Sequence, residues 1–256
     1  MKKNNELSLK NLPPSVQSHI QHLERVRRDF IANVSHELRT PLTVIHGYLE
    51  SLLKQDLDET KPWKKIFMQM YQHSIRMETI IDDLLLLSRL ESEDQPLDER
   101  KRIDVAAMLD TLYTDAQMIS GNKNQHIQLQ ADKKIVLDGS EEELKSLFSN
   151  IIINAIKYTP VDGSICIEWY QEKGCAIFKV TDTGIGIAKE HLPRITERFY
   201  RVDKGRSRES GGTGLGLAIV KHVLLSHEGE LLVESELGKG SVFTCVFPKK
   251  RTTVLK

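Results

Sequence analysis

Cysteine is scarce in this chain: its 256 residues include three, Cys166, Cys175 and Cys245. That number and spacing exclude a disulfide framework and a zinc site, and the three read as small apolar strand residues in a reducing compartment. An excess of either charge is also missing, because Lys plus Arg and Asp plus Glu both total 36. Net charge therefore leaves no footprint for nucleic acid and none for an acidic partner. No apolar run approaches the roughly 20 residues that a membrane span needs, and no signal peptide precedes Leu7. The chain is expected to be soluble and cytoplasmic, with membrane attachment only through a segment outside these residues. Internal repeats and low-complexity tracts are lacking too. What remains is length enough for one substantial core plus a smaller element.

The most informative stretch that is present runs from Phe30 to Leu42, FIANVSHELRTPL. Apolar residues at Phe30, Val34, Leu38, Leu42, Ile45, Leu49 and Leu52 mark one face of a helix. At about 100° per residue, His36 lies roughly 200° from Val34 and should face solvent. Glu37 is its neighbour, and Thr40 sits one turn along the same face. Pro41 lacks an N–H, so the bond to the Glu37 carbonyl is lost and a bend is expected just after the histidine. An ordinary surface histidine is the competing reading, and the residues around His36 argue against it.

Residues 14–94 read as two long helices after an N-terminal segment, 1–13. The first runs from near Ser15 to about Lys54, and a polar connection, Gln55 to Pro62, follows. The second carries a heptad seam at Ile66, Met70, His73, Met77, Ile80, Leu84 and Leu87, widened by Ile81, Leu85 and Leu86. Two such helices cannot cover their own apolar faces, so pairing of two hairpins as a four-helix bundle is expected. His73, on the seam, is expected to be packed in the interior. A charged stretch around Pro96 reads as a linker, 95–102, ahead of a second domain, 103–250, and a tail, 251–256. In that domain Ile127–Ala131 and Ile135–Leu137 read as strands, with a turn at Asp138-Gly139. Ser140 and Glu143 read as a capping box opening a helix. Further strands are expected at 165–171 and 176–180, then a helix from Leu215 to about Ser226, then strands at 230–235 and 241–248. Helices layered on one face of a mixed sheet make this part an α/β sandwich and the whole chain α+β.

The helix after Ser140 sets Asn150 and Asn154 four apart, with Lys157 and Tyr158 in the next turn. Two amides and a lysine on one face can hold hydrated Mg2+ and neutralise phosphate, although such spacing alone more often means solvated side chains. Asp182-Thr-Gly184-Ile-Gly186 follows an apolar strand, where a buried carboxylate can accept a hydrogen bond from an exocyclic amine while glycines admit a flat ring. A plain turn is the alternative. Gly211-Gly212-Thr213-Gly214-Leu215-Gly216 opens a helix and presents free N–H groups to phosphate. Between these lies a polar stretch, Arg198 to Arg208, suited to a mobile lid, from which Arg201 stands out as a phosphate contact. Gly238-Lys239-Gly240-Ser241 reads as a hairpin turn.

Ser35 to Leu42 matches at every position the phosphoacceptor box of the sensor histidine kinases of two-component signalling, and the chain resembles that family along nearly its whole length. NIIINAIKYTP resembles the family's N box, and the two glycine strings its G boxes. The resemblance implies a dimeric helical hairpin followed by an ATP-binding domain of the histidine kinase and Hsp90-like type. It implies that His36 is phosphorylated, that Glu37 is its general base and that Thr40 positions water for phosphatase action. It further implies Asn154 as the Mg2+ ligand, Asn150 and Lys157 beside the phosphates, Tyr158 along the adenine and Asp182 reading the adenine amine. Gly184, Gly186, Arg201, Gly212, Thr213, Gly214, Leu215 and Gly216 complete the implied nucleotide site. ATP and Mg2+ are the implied cofactors, and the receiver domain of a response regulator the implied partner. One departure is Thr196, where many relatives carry an aromatic residue. ERFYRVDKGRSR and GLGLAIVKH are most similar to the phosphate-regulon branch of the family, which implies phosphate-starvation signalling. Serine kinases and ATPases of the same nucleotide fold lack the hairpin, so residues 30–42 argue against them. A non-catalytic adaptor would be expected to lose Asn154, Asp182 or the glycine box.

Overall fold

Heptad spacing and a short polar break produce the hairpin of the first unit. The computed structural model describes residues 38–39, 42–52, 62–91, 101–202 and 213–255, and the chain divides into units Met1–Ser88 and Arg89–Lys256. In the first, helical residues 42–52 (α1) run beside α2, Pro62–Leu90. Arg39 pairs with Asp82, and His46 Nδ1 lies 3.1 Å from Glu78 Oε2. The His46 ring also meets Tyr71 edge-on, centroids 4.6 Å apart. Partner numbers fall as α1 numbers rise, so the helices are antiparallel. Leu42, Ile81 and Leu85 form the apolar contact beneath these pairs. The early seam stays uncovered within the chain: Ile66 is 53%, Met70 47% and Met77 47% exposed. His73 is exposed as well. It shares that exposure with Ile66, Met70 and Met77 on the seam, and its expected interior position belongs to the paired bundle, not to the single hairpin.

The second unit is an α/β sandwich. A five-stranded sheet has the order β2-β4-β5-β7-β6, and a three-stranded sheet the order β1-β3-β8. The strands are β1 Lys101–Asp104, β2 His126–Ala131, β3 Ile135–Gly139, β4 Ser164–Glu172, β5 Cys175–Asp182, β6 Glu230–Glu236, β7 Gly240–Phe247 and β8 Thr252–Val254. Only β2 and β4 pair in parallel in the larger sheet. The helices are α3 Val105–Ser120, α4 Glu141–Tyr158 and α5 Gly216–Ser226. Alternation aligns Ile167, Val180 and Phe243, and likewise Trp169, Phe178 and Cys245, across adjacent strands on one face. Phe148 of α4 packs on that face, 4.5 Å from Phe178 and 6.2 Å from both Trp169 and Phe247 between ring centroids. Cys245 is wholly buried there, and burial pushes its thiol pKa far up, so it acts as an apolar side chain.

Three local expectations change. Asp138 and Gly139 remain in β3, opposite Arg102 and Lys101, so no turn forms there. Ser140 does cap α4, its Oγ accepting from the Glu143 N–H. The reciprocal half of the capping box is replaced: the Ser140 N–H donates to His227 Nε2, and the Glu143 carboxylate accepts from Ser226 Oγ at 2.9 Å. Finally, Lys101 and Arg102, expected in the linker, open β1, and residues expected as a tail form β8 on β3. Both strands are too short for a period of two to show, and Ile103 is the one buried residue of β1. Among the described residues no helix is long and apolar enough to cross a membrane.

Candidate functional site

Helix α4 is the wall on which the site is built. Leu144, Leu147, Phe148, Ile151, Ile152, Ala155 and Ile156 bury one stripe of it. That leaves Asn150, Asn154 and Lys157 half-buried along its edge and Tyr158 exposed at its end. Asn150 Nδ2 donates to the Ser146 carbonyl at 2.9 Å, whereas the Asn154 amide makes no side-chain hydrogen bond among the described residues. Lys157 Nζ stands 5.0 Å over the Tyr158 ring. Burial raises the Tyr158 pKa, and the Arg201 charge opposes that shift. The helix stops where Thr159 turns extended ahead of Pro160.

Asp182 ends β5 with 6% of its surface exposed. Its Oδ1 accepts the Gly184 N–H at 2.8 Å, and the Ser241 N–H of β7 is a second backbone donor to the carboxylate. Desolvation nevertheless wins and raises its pKa above the ordinary carboxylate value. The loop after it is tied to α4, because the Ile185 N–H donates to the Tyr158 carbonyl at 3.2 Å. The β6–β7 hairpin places its own demand on Gly186, because a Cβ there would stand 2.0 Å from the Glu236 carbonyl oxygen. That hairpin turn forms as expected, with Glu236 opposite Gly240.

The third wall is the start of α5. Leu215 is fully buried, so only its backbone is available to a ligand, and its N–H donates to Thr213 Oγ1 at 3.1 Å. No side chain caps the helix at Leu215, so its first N–H groups offer partial positive charge to an anion. A Cβ on Gly216 would stand 2.3 Å from Asn150 Oδ1, which brings this N-terminus against α4. Gly214 lies at φ +75, and its carbonyl accepts the Phe199 N–H at 2.9 Å. Phe199 itself sits at φ +60.

Asn150, Asn154, Lys157, Tyr158, Asp182, Gly184, Gly186, Arg201, Thr213, Gly214, Leu215 and Gly216 thus belong to one continuous arrangement around α4. It can hold a flat polar ring at one end and an anion at the other. Sequence reasoning missed Ser146, which orients Asn150, and Ser241, which holds Asp182; both act from outside the motifs. His36, Glu37, Thr40, Gly212 and the stretch 203–212 lie outside the described residues.

Two family descriptions match the chain, in the order of its units. Residues 26–93 match the His Kinase A (phospho-acceptor) domain, and residues 139–251 match the histidine kinase-, DNA gyrase B-, and HSP90-like ATPase. The chain is 52% identical over 228 residues to the phosphate regulon sensor protein PhoR of Pseudomonas aeruginosa, covering 89% of this chain and 51% of that protein. It is 40% identical to PhoR of Haemophilus influenzae, covering 90% of this chain and 53% of that protein. It therefore spans about half the length of these relatives. A crystal structure of full-length ShkA in complex with AMPPNP matches with a TM-score of 0.72 at 25% identity, over 88% of this chain and 46% of that one.

Proposed function

The chain belongs to the sensor histidine kinases, most similar to those of the phosphate regulon, and from that membership we propose that it phosphorylates itself on His36 with ATP. The phosphoryl group then passes to an aspartate on the receiver domain of a response regulator, in phosphate-starvation signalling. What carries this reading is one arrangement: a buried carboxylate, Asp182, whose loop meets the end of α4 at Tyr158, and an uncapped helix start, Gly216, against its middle at Asn150.

The residues fit an adenine nucleotide. Asp182 accepts from the adenine amine, Tyr158 lies along the base, and the α5 N-terminus takes up phosphate charge. Lys157 and Arg201 supply cations, and the Asn154 amide, without a side-chain hydrogen bond among the described residues, offers an oxygen to Mg2+. Bound there, Mg2+ would neutralise the phosphates. His36 attacks the γ-phosphorus with a neutral imidazole nitrogen, Glu37 takes the proton, a nitrogen–phosphorus bond forms and ADP leaves with the bridging oxygen. Thr40 orients water when phosphate is removed from the regulator. The hairpin supplies the homodimer, and the chain works at the cytoplasmic side.

Incubation with γ-labelled ATP and Mg2+ tests this. Acid-labile, alkali-stable label on the parent and none on His36→Gln, with nucleotide binding intact, is the expected result. Alkali-stable label persisting on His36→Gln would place the phosphate on another histidine, and acid-stable, alkali-labile label would mark a serine kinase instead.

A further inference from the structure

The end of α4 holds a cluster that no motif contains. A helix leaves its last carbonyls without partners of its own, and they carry partial negative charge. Here a single ammonium gathers them: Lys123 Nζ donates to the carbonyls of Ile156 at 2.7 Å, Lys157 at 3.0 Å and Thr159 at 3.1 Å. The Gln125 amide reinforces it, donating to Ile156 at 3.0 Å and Thr159 at 2.7 Å. Gln125 is itself fixed, because Ser120 Oγ donates to its Oε1 at 3.0 Å. The remaining carbonyl of that turn, on Tyr158, accepts the Ile185 N–H from the loop after Asp182. Both donors come from the short connection between α3 and β2, and the Asp162 N–H of the next turn donates back to the Lys123 carbonyl at 3.0 Å.

We propose that Lys123 and Gln125 are positioning residues for the nucleotide site, acting as a clamp that holds the last turn of α4 in register with the Asp182 loop. Neither side chain touches the ligand space. They act through Lys157 and Tyr158, whose own carbonyls lie within the clamped turn, and through Ile185, which hangs from it. A neutral side chain at 123 takes the side-chain donor from the part-buried Lys157 carbonyl and leaves those of Ile156 and Thr159 to Gln125 alone, so the turn loosens and the two nucleotide-facing elements lose their relative placement. The inference rests on reading this site as the ATP site.

The test is equilibrium binding of a fluorescent ATP analogue, displaced by ATP, to the full chain and to folded variants checked by cooperative thermal melts. Lys123→Met is expected to raise the ATP dissociation constant about tenfold, and Lys123→Arg, which keeps a charged donor, to restore it to within about threefold of the parent. A purely structural lysine would lower the melting midpoint and leave the dissociation constant of the folded fraction alone; that result overturns the clamp. Equal weakening in Lys123→Arg overturns it too. If Lys123→Met does not melt cooperatively, Gln125→Leu carries the same expectation at about threefold, and unchanged affinity there is decisive against it. A parent that fails to bind the analogue removes the ATP site, and the clamp with it.

Discussion

Asp182 is held in one orientation by its neighbours, which makes its replacement informative. Because Oδ1 accepts the Gly184 N–H, an asparagine would keep its carbonyl there and turn its NH2 toward the base. Donor would then face donor at the adenine amine. Asp182→Asn is expected to weaken ATP binding about tenfold and to narrow its preference over GTP, whose ring carbonyl accepts. Competition binding decides it, and an unchanged ATP-to-GTP ratio rules Asp182 out as the reader. The pH dependence has a definite sign. Burial raises this pKa in the folded chain, so the native state binds the proton more readily than the unfolded one. The stability this gives is present below the ordinary carboxylate value and is lost as pH rises through the raised one. The base-reading form is the carboxylate, so ATP affinity of the parent climbs through that same window, while Asp182→Asn stays flat.

Among the loops, two glycines with left-handed backbone separate local strain from site geometry. Gly214 has φ +75, and a Cβ there would stand 2.9 Å from Phe199 Cα; Gly238 has φ +83 with nothing within 4 Å. Both alanine variants carry a strain of about 1 kcal/mol, but only Gly214→Ala also pushes on the 198–202 segment. Gly214→Ala is therefore expected to lose most nucleotide affinity, whereas Gly238→Ala loses a few degrees of melting midpoint and binds normally. Equal binding by the two in fluorescence titrations would contradict this. Legibility follows the same division. Helix α4 with its Ser140 cap, strands β4 and β5 with the Lys173-Gly174 turn between them, and α5 all declare themselves through neighbours in sequence. The partner of the Ser140 N–H does not, because His227 arrives from the far end of α5. Nor does β8, three residues long, which exists only because β3 offers an edge. Of the site, the motif residues were readable as strings, but Lys123, Gln125, Ser146 and Ser241 belong to no string and are recruited by tertiary contact.

For the chain as a whole, the exposed seam of α2 calls for a second copy. Each methionine buried there contributes roughly 1.5–3 kcal/mol, so Met70→Glu combined with Met77→Glu is expected to raise the dimer dissociation constant at least about a hundredfold. Sedimentation velocity at matched concentrations measures it, and a double variant that sediments like its parent would show that the dimer lies elsewhere. The small sheet has a different consequence. Strands β1 and β8 flank β3 on its two sides and run parallel to each other, so the polypeptide enters the α/β unit beside Gly139 and leaves it beside Ile135, on opposite edges and at opposite ends of one strand, roughly 17 Å apart. A bridge of about six extended residues spans that distance, which makes the unit a cassette: it can be set into a loop of another protein, or have its ends joined and be opened elsewhere, with no rearranged core.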